Sequence, residues 1–240
     1  MVHLKAFGSF VKAYHSMLET TLKLCGCQVK VIQLESEIYR IIPFKNEKKF
    51  AYLIQSLQNF SSFNISDIIF SESEILISYF GDIKDLKRRL KNRKERRSVS
   101  KLWELNVWFC ETKDWFRVEK ETGLSKKKFI KKLVQVDFEV GLFGFQPGFV
   151  YLKGMPKKLM VSRKKTPEFN TFKNAFAVGG PYAGIYSFPS PAGWNVLGKL
   201  LTPIFDWDSK VPSMFQIGDR LRIKEISESQ YTDLSQIKSL

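Results

Sequence analysis

Apolar and polar positions follow two rhythms along the 240 residues of the chain. From Val29 to Tyr79 the dominant period is two. Val29-Lys30-Val31-Ile32 and Ile38-Tyr39-Arg40-Ile41-Ile42 read as two strands with a turn at Glu35-Ser36. Phe50, Leu53, Ile54 and Leu57 then recur at helical spacing, with Asn46 placed to cap the helix. Ile68-Ile69-Phe70 and Ile75-Leu76-Ile77 form a second strand pair, and residues 82 to 97 a second helix with Ile83, Leu86 and Leu90 on one face. Two strand pairs, each followed by a helix, make a small α+β domain. Ahead of it, residues 4 to 24 fit a helix through Phe7, Phe10, Val11, Tyr14, Leu18 and Leu22, stopped by Gly26.

Beyond a linker at residues 98 to 101 the rhythm shortens. Leu102 to Phe109 reads as a strand. Asp114 to Glu121 and Ser125 to Leu133 read as short helices, with Gly123 between them and Ser125 capping the second. After a strand from Phe138 to Phe143, only short strands follow: Lys158–Val161, Phe176–Val178, Ile185–Phe188, Val196–Leu197 and Leu221–Ile226. Many short strands between glycine and proline turns indicate a barrel or sandwich. The expected organisation is a helical extension at 1–27, an α+β domain at 28–97, a linker at 98–101, a β-domain at 102–228 and a tail at 229–240.

Composition narrows the function classes. The formal net charge of +15 favours acidic partners and says nothing about fold. The basic run from Lys87 to Arg97 has no interleaved aromatics, so a solvated helix face is expected rather than a sequence-specific nucleic-acid reader. No apolar run approaches the ~18 residues of a membrane span. Lys12 breaks the first apolar run and no small-residue cleavage site follows, so residues 1–27 read as an added amphipathic helix or as the product of an early start codon, with Met17 as a second start. Cys25, Cys27 and Cys110 make no disulfide framework, and a cytoplasmic setting is expected. The two histidines, His3 and His15, both precede the β-domain, so a Ser-His-Asp or Cys-His mechanism and a histidine zinc site are excluded there, and no metal site is expected.

The remaining chemistry concentrates between Gly144 and Trp194. Gly144-Phe145-Gln146-Pro147-Gly148-Phe149-Val150-Tyr151 offers backbone N–H groups in tight turns, and Arg163-Lys164-Lys165 follows as a basic cluster. Asp219 after Gly218 reads as a turn residue. Gly-Phe-x-Pro-Gly-Phe-x-Tyr-Leu, then Gly184-Ile185-Tyr186, Ser190-Pro191-Ala192-Gly193-Trp194, Phe205-Asp206 and Gly218-Asp219-x-Leu221-Arg222 stand in an order that resembles one bacterial family. That family is the 5-oxoprolinase B subunit, also described as allophanate hydrolase subunit 1 or KipI-like, and the resemblance covers roughly residues 28 to 226.

The resemblance implies a cyclophilin-like β-barrel for the second domain. It implies one member, inactive alone, of an ATP-dependent complex that opens 5-oxoproline to glutamate, with homologues of the A and C subunits as partners and ATP as the cofactor of the complex. A different class is also open: a non-catalytic KipI-like inhibitor of sensor histidine kinases. The resemblance places Gly144, Phe145, Pro147, Gly148, Phe149, Tyr151, Arg163, Glu168, Tyr182, Gly184, Tyr186, Ser190, Gly193, Trp194 and Lys199 around one cleft at the barrel rim. It assigns no catalytic residue. Several positions depart from the family pattern: Leu133 replaces a histidine, Glu168 and Lys199 replace arginines, and Tyr182-Ala183 replaces a polar pair. Glu168 is expected to weaken anion binding by its charge.

Overall fold

Alternating burial builds much of the first sheet. Val29 and Val31 are fully buried while Gln28 and Lys30 between them are not, so this strand presents one face to a core. The computed structural model describes residues 19–24, 27–35, 37–44, 50, 53, 54, 57, 64–71, 73–91 and 100–237. In it the chain divides into two units, Met1–Ser98 and Val99–Leu240. In the first unit β1 (Glu19–Leu24), β2 (Cys27–Glu35), β3 (Ile38–Pro43), β4 (Ile65–Phe70) and β5 (Ile75–Tyr79) form an antiparallel sheet in the order β1-β2-β3-β5-β4. Phe50, Leu53, Ile54 and Leu57 are helical and buried, as their spacing predicts, whereas Asn46 lies outside the described residues. Helix α1 (Ile83–Lys91) buries Ile83, Leu86 and Leu90. Asp82 Oδ1 accepts the Asp85 N–H at 2.8 Å and caps it. Hydrogen bonds from Tyr79 and then Arg89 hold Asp85 down at about 2. The basic residues 92–97 lie outside the described residues.

One expectation is corrected here. Glu19–Leu24 is a strand, not the end of a helix. Leu18 and Leu22 satisfy a helical spacing, but Leu22 and Leu24 also alternate with Thr21 and Lys23. Pairing decides between the two: β1 runs against β2 from Glu19↔Ile32 to Leu24↔Cys27, which uses the backbone groups of both. Residues 4–18 lie outside the described residues.

The second unit is a closed barrel. Its strands are β6 (Leu102–Trp108), β7 (Phe138–Phe143), β8 (Val150–Lys153), β9 (Ala175–Gly179), β10 (Tyr182–Tyr186), β11 (Asn195–Leu200) and β12 (Arg220–Glu225), in the ring order β10-β8-β7-β12-β6-β11-β9. All neighbours are antiparallel except β12 and β6. Leu105, Val107, Phe138, Val140, Val150, Leu152, Phe176, Val178, Ile185, Leu197, Leu221 and Ile223 fill the interior. Helices α2 (Asp114–Thr122) and α3 (Lys126–Leu133) add Trp115, Val118, Phe129, Ile130 and Leu133 to the same core. The α+β class with a barrel domain is therefore present as expected.

Three local expectations differ. Lys158–Val161 is not a strand. Lys157–Leu159 is a 3₁₀ turn after Pro156, and Val161 makes a single bridge to Gly180. Ser125 precedes α3 in an extended conformation, but its side chain caps nothing. The Lys126 N–H goes instead to Glu119 Oε1 at 2.6 Å, from the preceding helix. Asp219 is more than a turn residue. Buried at 2% exposure, its carboxylate accepts the N–H groups of Lys101 and Gln216 and the indole N–H of Trp103, at 2.9–3.0 Å. It thereby fastens β12 to β6. Residues 228 to 237 form helix α4 (Glu228–Ile237), started by a reciprocal pair in which Ser227 and Gln230 each cap the other's N–H.

Candidate functional site

The barrel has a second layer on its outside. Along β8, β9, β10 and β11 the residues that alternate with the interior set are Tyr151, Ala175, Ala177, Gly184, Tyr186 and Val196. Small residues there leave room for rings. Phe149 and Trp194 lie over Gly184 so closely that a Cβ on it would sit 2.8 Å from each. Phe149 is the hub: its ring meets Tyr151 and Tyr186 at 4.8 Å, Phe145 at 5.5 Å and Trp194 at 5.6 Å, all edge to face. Tyr182 stacks parallel to Trp194 at 6.5 Å. The Arg163 guanidinium, itself exposed, lies 5.4 Å above the Trp194 ring.

Two loops hold this layer in place. Residues 162–171 run antiparallel to 190–193: Lys164 N–H donates to Gly193 O at 2.7 Å, Glu168 and Ala192 exchange both backbone bonds, and Thr171 N–H donates to Ser190 O at 2.9 Å. The other loop, Gly144 to Phe149, is tied by Gln146 Nε2 to Phe188 O at 3.1 Å and by the Ser187 hydroxyl to Pro147 O. Gly148 has φ +74 with the Phe205 ring against it, where a Cβ would sit at 2.5 Å, so only glycine fits.

Beneath residues 162–171 and 190–193, together a flap over the layer, lies a buried ion cluster. Lys164, its side chain 7% exposed, donates to Asp114 Oδ1 and Oδ2 at 3.1 and 2.9 Å and to Glu168 Oε1 at 2.9 Å. Asp114 Oδ2 also accepts the Val196 N–H at 2.7 Å, which anchors α2 to β11. Lys113 reaches the other Glu168 oxygen at 3.2 Å. Partial burial raises the Glu168 carboxyl, but hydrogen bonds from Lys164 and Lys113 outweigh it and the net direction is down. Beside the cluster, Asn195 is wholly buried. Its amide donates to Ser162 O and Val178 O at 3.0 and 3.1 Å, and its oxygen accepts from Arg117 at 3.1 Å.

The turns named from sequence therefore do meet, but on the outer face of four strands. Phe145, Phe149, Tyr151, Tyr182, Tyr186 and Trp194 form the patch, Gly184 is its floor, Gly144, Pro147 and Gly148 shape one loop, and Ser190 and Gly193 the other. Arg163 stands over it. Glu168 is at the base of the flap, and its charge is already balanced by Lys164 and Lys113, which corrects the expectation that it acts as a free repelling anion. Ala183 points into the barrel core, not toward the patch, and Leu133 is fully buried in that core. Lys199 reaches only the margin of the layer: its ammonium lies 5.8 Å from Phe172, which packs against the layer, and 5.6 Å from Tyr231. Sequence reasoning missed Asp114, Asn195 and Arg117. Lys164 and Glu168 stand in a loop, where a spacing of four is no signal for a pair, and Asp114 is fifty positions away.

Tyr186 gives a pH prediction. Burial pushes its phenol up to about 12 from an ordinary 10.0. The native state thus holds the proton more tightly, so its contribution is complete below pH 10 and is lost as pH rises to about 12, worth about 2–3 kcal/mol. All five tryptophans lie in the barrel unit, so their fluorescence reports that unit alone. Tyr186→Phe is expected to reduce the alkaline fall in its urea midpoint. An unchanged fall would assign the effect elsewhere.

The family model described as carboxyltransferase domain, subdomain C and D, matches residues 21–215. The chain belongs to this family. Among curated members, the 5-oxoprolinase B subunit of Escherichia coli O157:H7 is 33% identical over 100 residues, 42% of this chain and 46% of that one. The protein of the same name from Bacillus subtilis (strain 168) is 30% identical over 118 residues, 49% of each. The chain thus spans about half the length of the curated relatives it matches. Among solved structures, TTHA0988 superposes with a TM-score of 0.70 and 26% identity, over 79% of this chain and 40% of that chain. The matched span of the carboxyltransferase-domain family contains every residue of the aromatic face, the flap and the ion cluster. Among the described residues no helix is long and apolar enough to cross a membrane, and no three His, Cys, Asp or Glu side chains are grouped to hold a metal ion.

Proposed function

We propose that the chain is the B subunit of an ATP-dependent 5-oxoprolinase complex, a hydrolase that opens 5-oxoproline to glutamate, and that it is inactive alone. The relatives named as 5-oxoprolinase B subunits support this reading, and their name implies an assembly of several chains. In this reading homologues of the C and A subunits complete the enzyme.

The observation that carries the chemistry is the exposed Arg163 guanidinium over Trp194. A guanidinium forks onto a carboxylate with two parallel hydrogen bonds, and rings offer a flat ligand a low-cost surface. 5-Oxoproline has one carboxylate and one small ring, which suits one exposed arginine beside the half-buried rings of Tyr151 and Tyr182. The face does not suit a triphosphate: Lys164 is committed to Asp114 and Glu168. ATP is accordingly a ligand of the companion subunits, and this chain binds and orients the acid. Hydrolysis of the lactam breaks its C–N bond and adds water across it.

Calorimetry with 5-oxoproline on the complex reconstituted from all three subunits tests this. Arg163→Ala is expected to weaken binding by about 1.5–3 kcal/mol, the loss of one charge-assisted hydrogen-bonded contact. Unchanged affinity in an intact complex removes Arg163 from the site.

A further inference from the structure

One stripe of helix α2 grips the chain on both sides of Arg163. Asp114, Arg117 and Glu121 stand at i, i+3 and i+7, so all three project from one face of the helix. On one side of Arg163, Asp114 holds the Lys164 ammonium, and the Lys164 N–H donates to Gly193 O at 2.7 Å. On the other side every polar group of Ser162 is taken. Glu121 Oε2 accepts its N–H at 2.7 Å, its hydroxyl lies 2.8 Å from both Glu121 oxygens, and Asn195 Nδ2 donates to its carbonyl at 3.0 Å. Arg117 completes the group, donating to Glu121 Oε1 at 2.9 Å and to Asn195 Oδ1 at 3.1 Å.

Ser162 and Arg163 are both exposed, where water could serve these backbone groups as well. The backbone is fastened all the same, and the guanidinium is not. Among the described residues it makes no hydrogen bond and no ion pair, and the Trp194 ring lies 5.4 Å below it. A fixed base and a free fork suit a carboxylate receptor. The chain is ordered before the ligand arrives, so less freedom is lost on binding. Glu121 bonds Ser162 and Arg117, not Arg163, so it fixes the arginine without competing for it.

We propose that Glu121 is a positioning residue for Arg163: through Ser162 it holds the guanidinium over Trp194, where a small carboxylic acid binds. The inference rests on the functional reading above and adds to it a residue that touches no ligand.

The test is calorimetry with 5-oxoproline on the complex reconstituted from all three subunits, beside the urea midpoint of each full-length variant by tryptophan fluorescence. Glu121→Ala is expected to weaken binding about tenfold, because the arginine must then be ordered by the ligand. Its urea midpoint is expected to match the parent, since the bonds it loses lie at the surface. Glu121→Gln keeps an oxygen for the Ser162 N–H and is expected to bind within about threefold of the parent. In an Arg163→Ala background, Glu121→Ala is expected to change nothing, because no arginine is left to position. Parent-like binding by Glu121→Ala overturns the positioning role. So does an equal loss with and without Arg163, or a loss of affinity matched by a fall in the urea midpoint. Each of these leaves the functional reading intact while Arg163→Ala alone still weakens binding. Parent-like binding by Arg163→Ala, or no binding by the parent complex, overturns that reading and this inference together.

Discussion

Asp114→Ala is expected to lower the stability of the barrel unit by about 3–5 kcal/mol, the typical cost of removing one partner from a buried ion pair. The carboxylate serves two groups that cannot reach water. Lys164 keeps Glu168 but loses its buried counter-ion, and the Val196 N–H is left without an acceptor. Asp114→Asn retains an oxygen for Val196 and is expected to cost less than the alanine variant. Urea titration followed by tryptophan fluorescence decides the matter. Equal costs for the two variants would assign the whole effect to the lysine, and no cost for either would mean that the pair is solvated in solution.

Trp194→Ala is expected to cost a similar amount, about 3–5 kcal/mol for a large buried aromatic. It also removes the ring under Arg163, so any carboxylate affinity of the face falls with it. A second substitution separates packing from fold. A Cβ on Gly179 would sit 2.7–2.9 Å from three atoms of the Trp194 ring, its nearest neighbours. Gly179→Ala is therefore expected to destabilise the parent by about 1–3 kcal/mol through overpacking and to be nearly neutral once Trp194 is alanine. Additive costs in the double variant would falsify the account of why glycine stands there.

Particular residues show how far sequence reaches into this fold. Tyr39 and Ile41, and Ile75 and Ile77, announce their strands because each alternates with more exposed neighbours over a core. Ile83, Leu86 and Leu90 announce α1 because a helix repeats its face every three to four positions. Leu22 and Leu24 announce nothing definite, since they fit either rhythm, and β1 exists because β2 is there to pair with it. The aromatic face was legible as a set of turns and rings, but not which way they pointed. Ala183 and Gly184 are neighbours, and the strand sends one into the core and leaves the other as a floor. Glu168 and Asp219 misled for a common reason. Each has a plain local meaning, a stray charge or a turn, while its partners Lys113 and Lys164 or Lys101 and Trp103 are fixed by the fold rather than by local pattern.

The parallel pairing of β12 with β6 sets the order of events at the ribosome. β6 is the first strand of the ring to be synthesised and β12 the last, and the bond from Ser100 to Gly218 beside them spans 118 residues. At ordinary elongation rates that separation lasts on the order of ten seconds. Once β11 has emerged, the nascent ring lacks a single strand, with β6 and β7 as two open edges able to recruit foreign strands. Closure waits for six residues, Arg220–Glu225, and the entropy of joining such distant segments makes it a slow step. A chain broken off just before Arg220 thus contains nearly the whole domain, yet forms a sticky open sheet in place of a barrel.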